Sequence, residues 1–384
     1  MSIYLDYAAS TPVRPEVLEA MLPYFTTGFG NASSLHAYGR EAKLALSASR
    51  DAMAAALGCK PSELVFTSGG TESDNLALFG AIAGSSAGPG KKHIVTTQIE
   101  HHAVLHACGQ LEQRGVEVTY VAPDKQGYVD VTRIEAALQP HTVLISVMLA
   151  NNEVGTIQPV QEIGELARKR GITFHVDAVQ ALATEQLDLS ILPVDLMSFS
   201  AHKIGGPKGI GLLYASGKQR IASQLFGGSQ ERGRRAGTEN IPAIVGFAQA
   251  LTMAKQQQKG HRAHLEELRH TMLSLLEDKL PSSAFIVNGH PVMRIPHILN
   301  ISFPGVSTET MLMNLDLAGV CAASGSACSS GSLETSHVLR SMGLSEEIAG
   351  SAIRFSFGFD TTREEIVTTA HTTATILERL RSRL

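Results

Sequence analysis

The sequence predicts an α/β fold: a large domain with a mostly parallel sheet wrapped by helices, followed by a smaller α/β C-terminal domain. Three observations carry this expectation. Between Leu64 and Ser216, short β-branched runs alternate with segments of helical period, the pattern of strands linked by covering helices. The runs are almost uniformly apolar, as strands covered on both faces must be. At roughly 150 residues per domain, a chain of 384 residues has room for two domains, one of them large.

Taken in order, the expected strands are Leu64 to Thr67, His93 to Thr97, Val116 to Val121, Thr142 to Met148, Ile172 to Val176, Asp195 to Ser198 and Ile210 to Tyr214. Ala42, Leu46, Ser49, Met53 and Leu57 mark one face of a helix that stops at Gly58. Ile163, Leu166 and Ala167 mark another, ended by Gly171. A long charged amphipathic helix over 251 to 280, closed by Pro281-Ser282-Ser283, opens the second domain. There a strand at Asn300 to Phe303, a helix at Thr308 to Leu317, a small-residue loop, a strand at Ile353 to Phe357 and a helix from Thr362 follow. The expected division is residues 1–14 as a segment packing with the smaller domain, 15–255 as the large domain, and 256–384 as the smaller one.

Lys+Arg total 32 against Asp+Glu 36, a net charge of -4, which argues against nucleic acid as the main partner. The longest uncharged apolar stretch, Val143 to Ala150, is far short of the roughly 20 residues of a membrane span. Met1 leads straight into Ile3-Tyr4-Leu5-Asp6 without the features of a signal peptide, so a soluble cytoplasmic protein is expected. Four cysteines at irregular spacing, with no CxxC, point to reduced thiols.

Ser68 to Ser73 follows a strand and opens a helix, so Gly70 and Thr71 could cradle a phosphate at the positive helix end; the same residues read equally well as a turn with an N-cap. Asp177 ends a buried strand, where ligands of open α/β sheets sit, or it caps the next helix. Lys203 lies in Ser200-Ala201-His202-Lys203, flanked by hydroxyls and glycines, and could form a Schiff base; Lys208 is the ordinary neighbour. His102 and His106 have the spacing of two metal ligands, but no third ligand presents itself and no metal is expected. His101 could instead stack on an aromatic ligand. Asn152, in Asn151 to Gly155, is a turn residue or an amide at the same mouth. Ser324 to Ser332 surrounds Cys328 with small residues, as an arm bearing a nucleophile would; Cys59 and Cys108 read as structural and Cys321 as ambiguous.

Together these motifs resemble the cysteine desulfurases of the class-V aminotransferase group, pyridoxal-phosphate enzymes of fold type I. The resemblance runs nearly end to end. It takes in Tyr4 to Pro12, Thr67 to Asn75, Ile99 to Val104, Asn151 to Gly155, His175 to Gln180, Ser200 to Lys203, Arg235 to Asn240 and Ile353 to Ser356. The Ser-Gly-Ser-Ala-Cys-Ser-Ser run is similar to the housekeeping and nitrogen-fixation branch.

The resemblance implies a role for each position. Lys203 would carry pyridoxal 5'-phosphate and shuttle the substrate Cα proton. Asp177 would pair with the pyridine nitrogen. His101 would stack on the ring and move protons, with Asn152 and Gln180 on the side of its phenolic oxygen. Gly70, Thr71, Ser200 and His202 would hold the phosphate, with Thr238 arriving from the second subunit of a homodimer. Arg354 would clamp the carboxylate of L-cysteine, with Asn31 and Asn152 nearby, and Cys328 would take its sulfur as a persulfide for acceptor proteins such as an iron–sulfur scaffold. The alternative is a selenocysteine lyase or other β-lyase on the same fold.

Overall fold

The computed structural model describes residues 2–85, 91–325 and 335–382. Except for one long helix that starts earlier, the expected elements lie within a few residues of their predicted positions. β1 (Ile3–Tyr4) precedes the large lobe, whose strands are β2 (Leu64–Thr67), β3 (His93–Thr97), β4 (Glu117–Val121), β5 (Thr142–Ser146), β6 (Thr173–Asp177), β7 (Leu196–Ser200) and β8 (Gly211–Ala215). They form one sheet in the order β2-β8-β7-β6-β5-β3-β4. All its pairings are parallel except those of β8, which runs antiparallel to both β2 and β7.

Successive side chains of these strands enter different cores, as the twofold strand period requires. Phe66, Val95, Ile145 and Leu212 join one apolar cluster, while Val65, Ile94, Leu144 and Leu213 join another on the opposite face. Burial on both faces is why the strands read as continuous apolar runs rather than alternating ones. Gly58 (φ 71°) and Gly171 (φ 66°) end their helices in the left-handed conformation, which glycine adopts without a β-carbon clash.

The smaller lobe is built on β9 (Ile286–Asn288), β10 (Ile298–Ser302) and β12 (Ala352–Ser356) in the antiparallel order β12-β10-β9. β11 (Val320–Cys321) pairs in parallel with β1. Its core joins Leu5, Leu265, Leu268, Leu299, Ile301, Phe355 and Ile366. The helix predicted from residue 251 starts ten residues earlier, at Ile241, and runs unbroken to Lys279. None of residues 241–254 is exposed, and Ala243, Ile244, Gly246, Phe247, Ala248 and Ala250 are all buried, so no amphipathic stripe announces the first turns. The start is set instead by Asn240, whose Oδ1 accepts from Ala243 N. Because Leu251 belongs to the large-lobe core and Leu265 to the small-lobe core, one helix serves both lobes, and the expected division after residue 255 falls inside it.

Residues 2–14 lie between the lobes. Leu5 N bonds to Cys321 O on one side, while Thr11 N bonds to His202 O and Arg14 N to Gly205 O on the other. Among the described residues no helix is long and apolar enough to cross a membrane.

Candidate active site

A cavity of about 210 Å³ opens where the C-terminal ends of β6 and β7, the N-terminus of the helix Gly70–Gly84, the 2–14 segment and β12 converge. Lys203, Asp177, His101, Gly70, Thr71, Asn152, Gln180, Ser200, His202 and Arg354 all line it. Asn31 and Thr238 do not. Both are exposed, and Asn31 Oδ1 accepts from Ser33 N. Cys328 lies outside the described residues.

β7 ends at Ser200 and passes directly into the 3-10 turn Ala201–Lys203. This abrupt change of direction delivers Lys203 to the cavity, where Nζ donates to the carbonyls of Ala8 (2.5 Å) and Ala9 (2.8 Å). Two neutral carbonyls orient the amine and leave its charge uncompensated by them. β6 ends on Asp177, whose Oδ1 accepts from Val179 N at 2.9 Å. Burial raises its carboxyl above the ordinary range, against the pull of Val179 N–H and the Lys203 charge.

The same cavity is lined by a further acid that sequence reasoning did not single out. Asp74, 1% exposed, has Oδ1 3.6 Å from His175 Nε2, and that oxygen has no hydrogen-bond partner among the described residues. Burial, then the Asp177 charge, hold its carboxyl well above the usual value. His175 bonds to Ser146 Oγ (2.8 Å) and Ser198 Oγ (3.0 Å), and burial pushes it down to about 3. The imidazole is neutral at pH 7. Asp74 stands in the polar run Thr71-Glu72-Ser73-Asp74-Asn75, so no local sequence signal marks it out.

His101 caps the helix His102–Gln113, with Nδ1 accepting from Ala103 N at 3.1 Å. That bond leaves the proton of the neutral ring on Nε2. Burial first, then the Lys203 charge, push its pKa down to about 4. His202 is likewise held at about 4 by burial.

At the phosphate end, Gly70 begins its helix, so that unsatisfied N–H groups and the positive end of the dipole face the cavity. A β-carbon on Gly70 would sit 2.9 Å from Val179 Cγ2. Ser200 Oγ is buried there and has no partner among the described residues. This corner offers backbone donors, an unused hydroxyl and a histidine to an anion.

Arg354, 1% exposed in β12, answers the requirement that a charge in an apolar run be paired. Nη2 donates to Asp6 Oδ1 at 2.8 Å and Nη1 to Asn152 O at 2.9 Å, while Nε has no partner among the described residues. Asp6 was not singled out, because only the fold brings residue 6 to residue 354.

The remaining candidates separate. Burial pushes the Cys59 and Cys108 thiols up to about 12, out of reach of thiolate chemistry near neutrality. Cys321 is half-buried in β11. His102 and His106 stack with ring centroids 4.9 Å apart, and the described residues contain no group of three His, Cys, Asp or Glu placed to hold a metal.

Comparison with known proteins agrees along nearly the whole chain. The family model for aminotransferase class-V matches residues 3–368. A cysteine desulfurase IscS of Dictyoglomus turgidum is 45% identical, covering 99% of this chain and 95% of that protein. Among solved structures, a NifS-like protein superposes with a TM-score of 0.90 at 36% identity and full coverage of both chains. Another, titled SspA in complex with cysteine, gives 0.81 at 35% identity, covering 93% of this chain and 99% of that one.

Proposed function

This chain belongs to the class-V aminotransferase family and to the pyridoxal-phosphate-dependent cysteine desulfurases within it, and on that premise we propose how its residues move sulfur from L-cysteine to Cys328. The observation that carries the reading is the convergence of Lys203, Asp177, His101 and Arg354 on one cavity.

The residues fit the cofactor. Gly70, Thr71, Ser200 and His202 would hold its phosphate, with the Ser200 hydroxyl, which has no partner among the described residues, donating to it. Asp177 would pair with the pyridine nitrogen, and Asn152 and Gln180 would lie on the side of the phenolic oxygen. When bound, pyridoxal phosphate supplies an electron sink for charge developing on the substrate.

Lys203 would carry the cofactor and, as an amine, would take the substrate Cα proton; the Ala8 and Ala9 carbonyls orient Nζ in the cavity. Arg354 would receive the substrate carboxylate, with Asn152 nearby, the planar guanidinium exchanging part of its bonding to Asp6 for that second carboxylate. His101, neutral because it is buried beside a cation and with its proton on Nε2, would stack on the cofactor ring. The Cys328 thiolate attacks the substrate sulfur. A sulfur–sulfur bond forms as the carbon–sulfur bond breaks, its electron pair staying with Cβ. Protonation of Cβ leaves alanine and a persulfide on Cys328.

Sulfur-acceptor proteins, an iron–sulfur scaffold among them, would take the persulfide in the cytoplasm. A homodimer brings Thr238 of one subunit to the phosphate of the other. Residues 15–255 act as the cofactor-binding domain and 256–384 as the smaller domain carrying the cysteine, with residues 1–14 packed against it.

Mass spectrometry after incubation with cysteine should find one added sulfur on the Cys328 peptide. Cys328→Ser should keep the cofactor and the cysteine-induced colour change but lose alanine formation, since a hydroxyl is a poor nucleophile towards sulfur. Alanine formed by Cys328→Ser at the parent rate would replace this mechanism with that of a β-lyase.

A further inference from the structure

Of the buried acids around the cavity, Glu153 has no part in the chemistry above. It is 0% exposed and directly follows Asn152, whose carbonyl holds Arg354. Its main chain is held on both sides: Asn151 Oδ1 accepts from Glu153 N at 2.9 Å, and Asn300 Nδ2 donates to Glu153 O at 3.2 Å. The carboxylate is therefore carried on a rigid mount.

Two points of chain far along the sequence meet this carboxylate. Ser336 Oγ donates to Oε2 at 2.5 Å. Gly325 lies against the same oxygen, so closely that a β-carbon there would stand 2.8 Å from it, and Gly325 has a positive φ of 40°. Ser336 also caps the helix His337–Ser341, its Oγ accepting from Leu339 N, so a fixed Ser336 also fixes the start of that helix. Oε1 has no hydrogen-bond partner among the described residues; His337 Nδ1 is 4.0 Å away. Leaving a carboxylate buried and only half bonded is costly, and Ser336 and Gly325 are what it gains in return.

We infer that Glu153 is a positioning residue that clasps the chain on either side of Cys328, at Gly325 and Ser336, and ties both points to the strand-end turn that also fixes Arg354. Fixing two points of a chain restricts the volume reachable by what lies between them and so raises its effective concentration at a nearby target. The clasp thus serves the sulfur-transfer step and not the binding of cysteine. This inference rests on the reading of Cys328 as sulfur acceptor.

The test uses the holoenzyme and three variants of Ser336. Ser336→Ala removes the donor to Glu153, and Ser336→Thr restores one. Ser336→Asp keeps a good N-cap acceptor but cannot donate, and sets an acid against Glu153. The Ala and Asp variants should each form alanine about tenfold more slowly, the scale of one lost charge-assisted hydrogen bond. KM for cysteine and the cysteine-induced colour change should stay at parent values, and the rate of Cys328 alkylation by iodoacetamide, read by peptide mapping, should change severalfold. Thr should return both rates towards the parent. Parent rates in Ser336→Asp would reduce Ser336 to a helix cap and overturn the inference, as would a raised KM or a lost colour change. Cys328→Ser run alongside separates the two readings: parent-rate alanine from it defeats the sulfur-acceptor assignment, whereas its inactivity with unaltered Ser336 variants defeats the clasp alone.

Discussion

Glu100 immediately precedes the ring-stacking candidate His101, and its carboxyl is wholly buried, with Oε1 accepting from Thr97 Oγ1 at 2.6 Å and from Met148 N at 3.1 Å. These bonds do not offset its loss of water, and burial pushes it up to about 8. Between its ordinary value of 4.5 and about 8, the native chain therefore holds one proton more than the unfolded chain. The stability this proton carries is fully present below the unfolded value and is lost as pH rises through the native one. Glu100→Gln, a neutral mimic of the protonated acid, should remove that decline. Urea midpoints of parent and variant, measured from about pH 5 to about pH 9, should diverge in the variant's favour as pH rises. Parallel curves would mean that Glu100 is ionised in the fold. His101 and His202, depressed to about 4, act with the opposite sign: the stability tied to their neutral forms is lost as pH falls from about 6.5 towards 4.

At the scale of elements, the site depends on strands that stop together. Gly211, the first residue of β8, pairs with both Thr67 at the end of β2 and Ser200 at the end of β7. These are the two strand ends from which the phosphate-binding corner springs. A β-carbon on Gly211 would lie 2.5 Å from the Gly69 carbonyl carbon, a backbone atom that cannot move without displacing the start of the helix Gly70–Gly84. Gly211→Ala should cost about 1–3 kcal/mol by overpacking and should loosen the cofactor. Retention of pyridoxal phosphate during dialysis and the thermal midpoint of the apoprotein measure these two effects separately. A variant with parent retention would show that the corner tolerates a shift of the Gly69 loop.

For the whole molecule, the unexplained feature is apolar surface. Phe29 is 65% exposed, Leu35 92% and Phe226 87%, more than a lone chain gains from leaving in water. Phe226 shares a folded segment with Thr238, closed by the bond from Ala236 N to Leu225 O. The proposed homodimer would cover these side chains while delivering Thr238. Sedimentation should report twice the 40.9 kDa of one chain. Phe226→Glu should shift the protein towards the monomer and weaken cofactor retention together. A fully active monomer would refute the shared site.

The residue order alone determined the α/β class, the strand positions and family membership, because each rests on a local signal: an apolar run, a glycine stop, or a short motif at a strand end. Lys203, Asp177 and Gly70 were legible for the same reason, each standing where a β-strand gives way to the next segment. The tertiary structure alone decided which groups face one another. Asp6 reaches Arg354 across 348 residues, the Ala8 and Ala9 carbonyls hold Lys203, and Asp74 lies against His175. No periodicity encodes such pairings, since they arise when the sheet, the smaller lobe and the 2–14 segment close on one another. The long helix shows the same limit: its first turns are apolar on most sides because the large lobe packs around them. Protonation was equally hidden, because residue type sets only the ordinary pKa, while burial, a property of the closed fold, moves Glu100 up and His101 down.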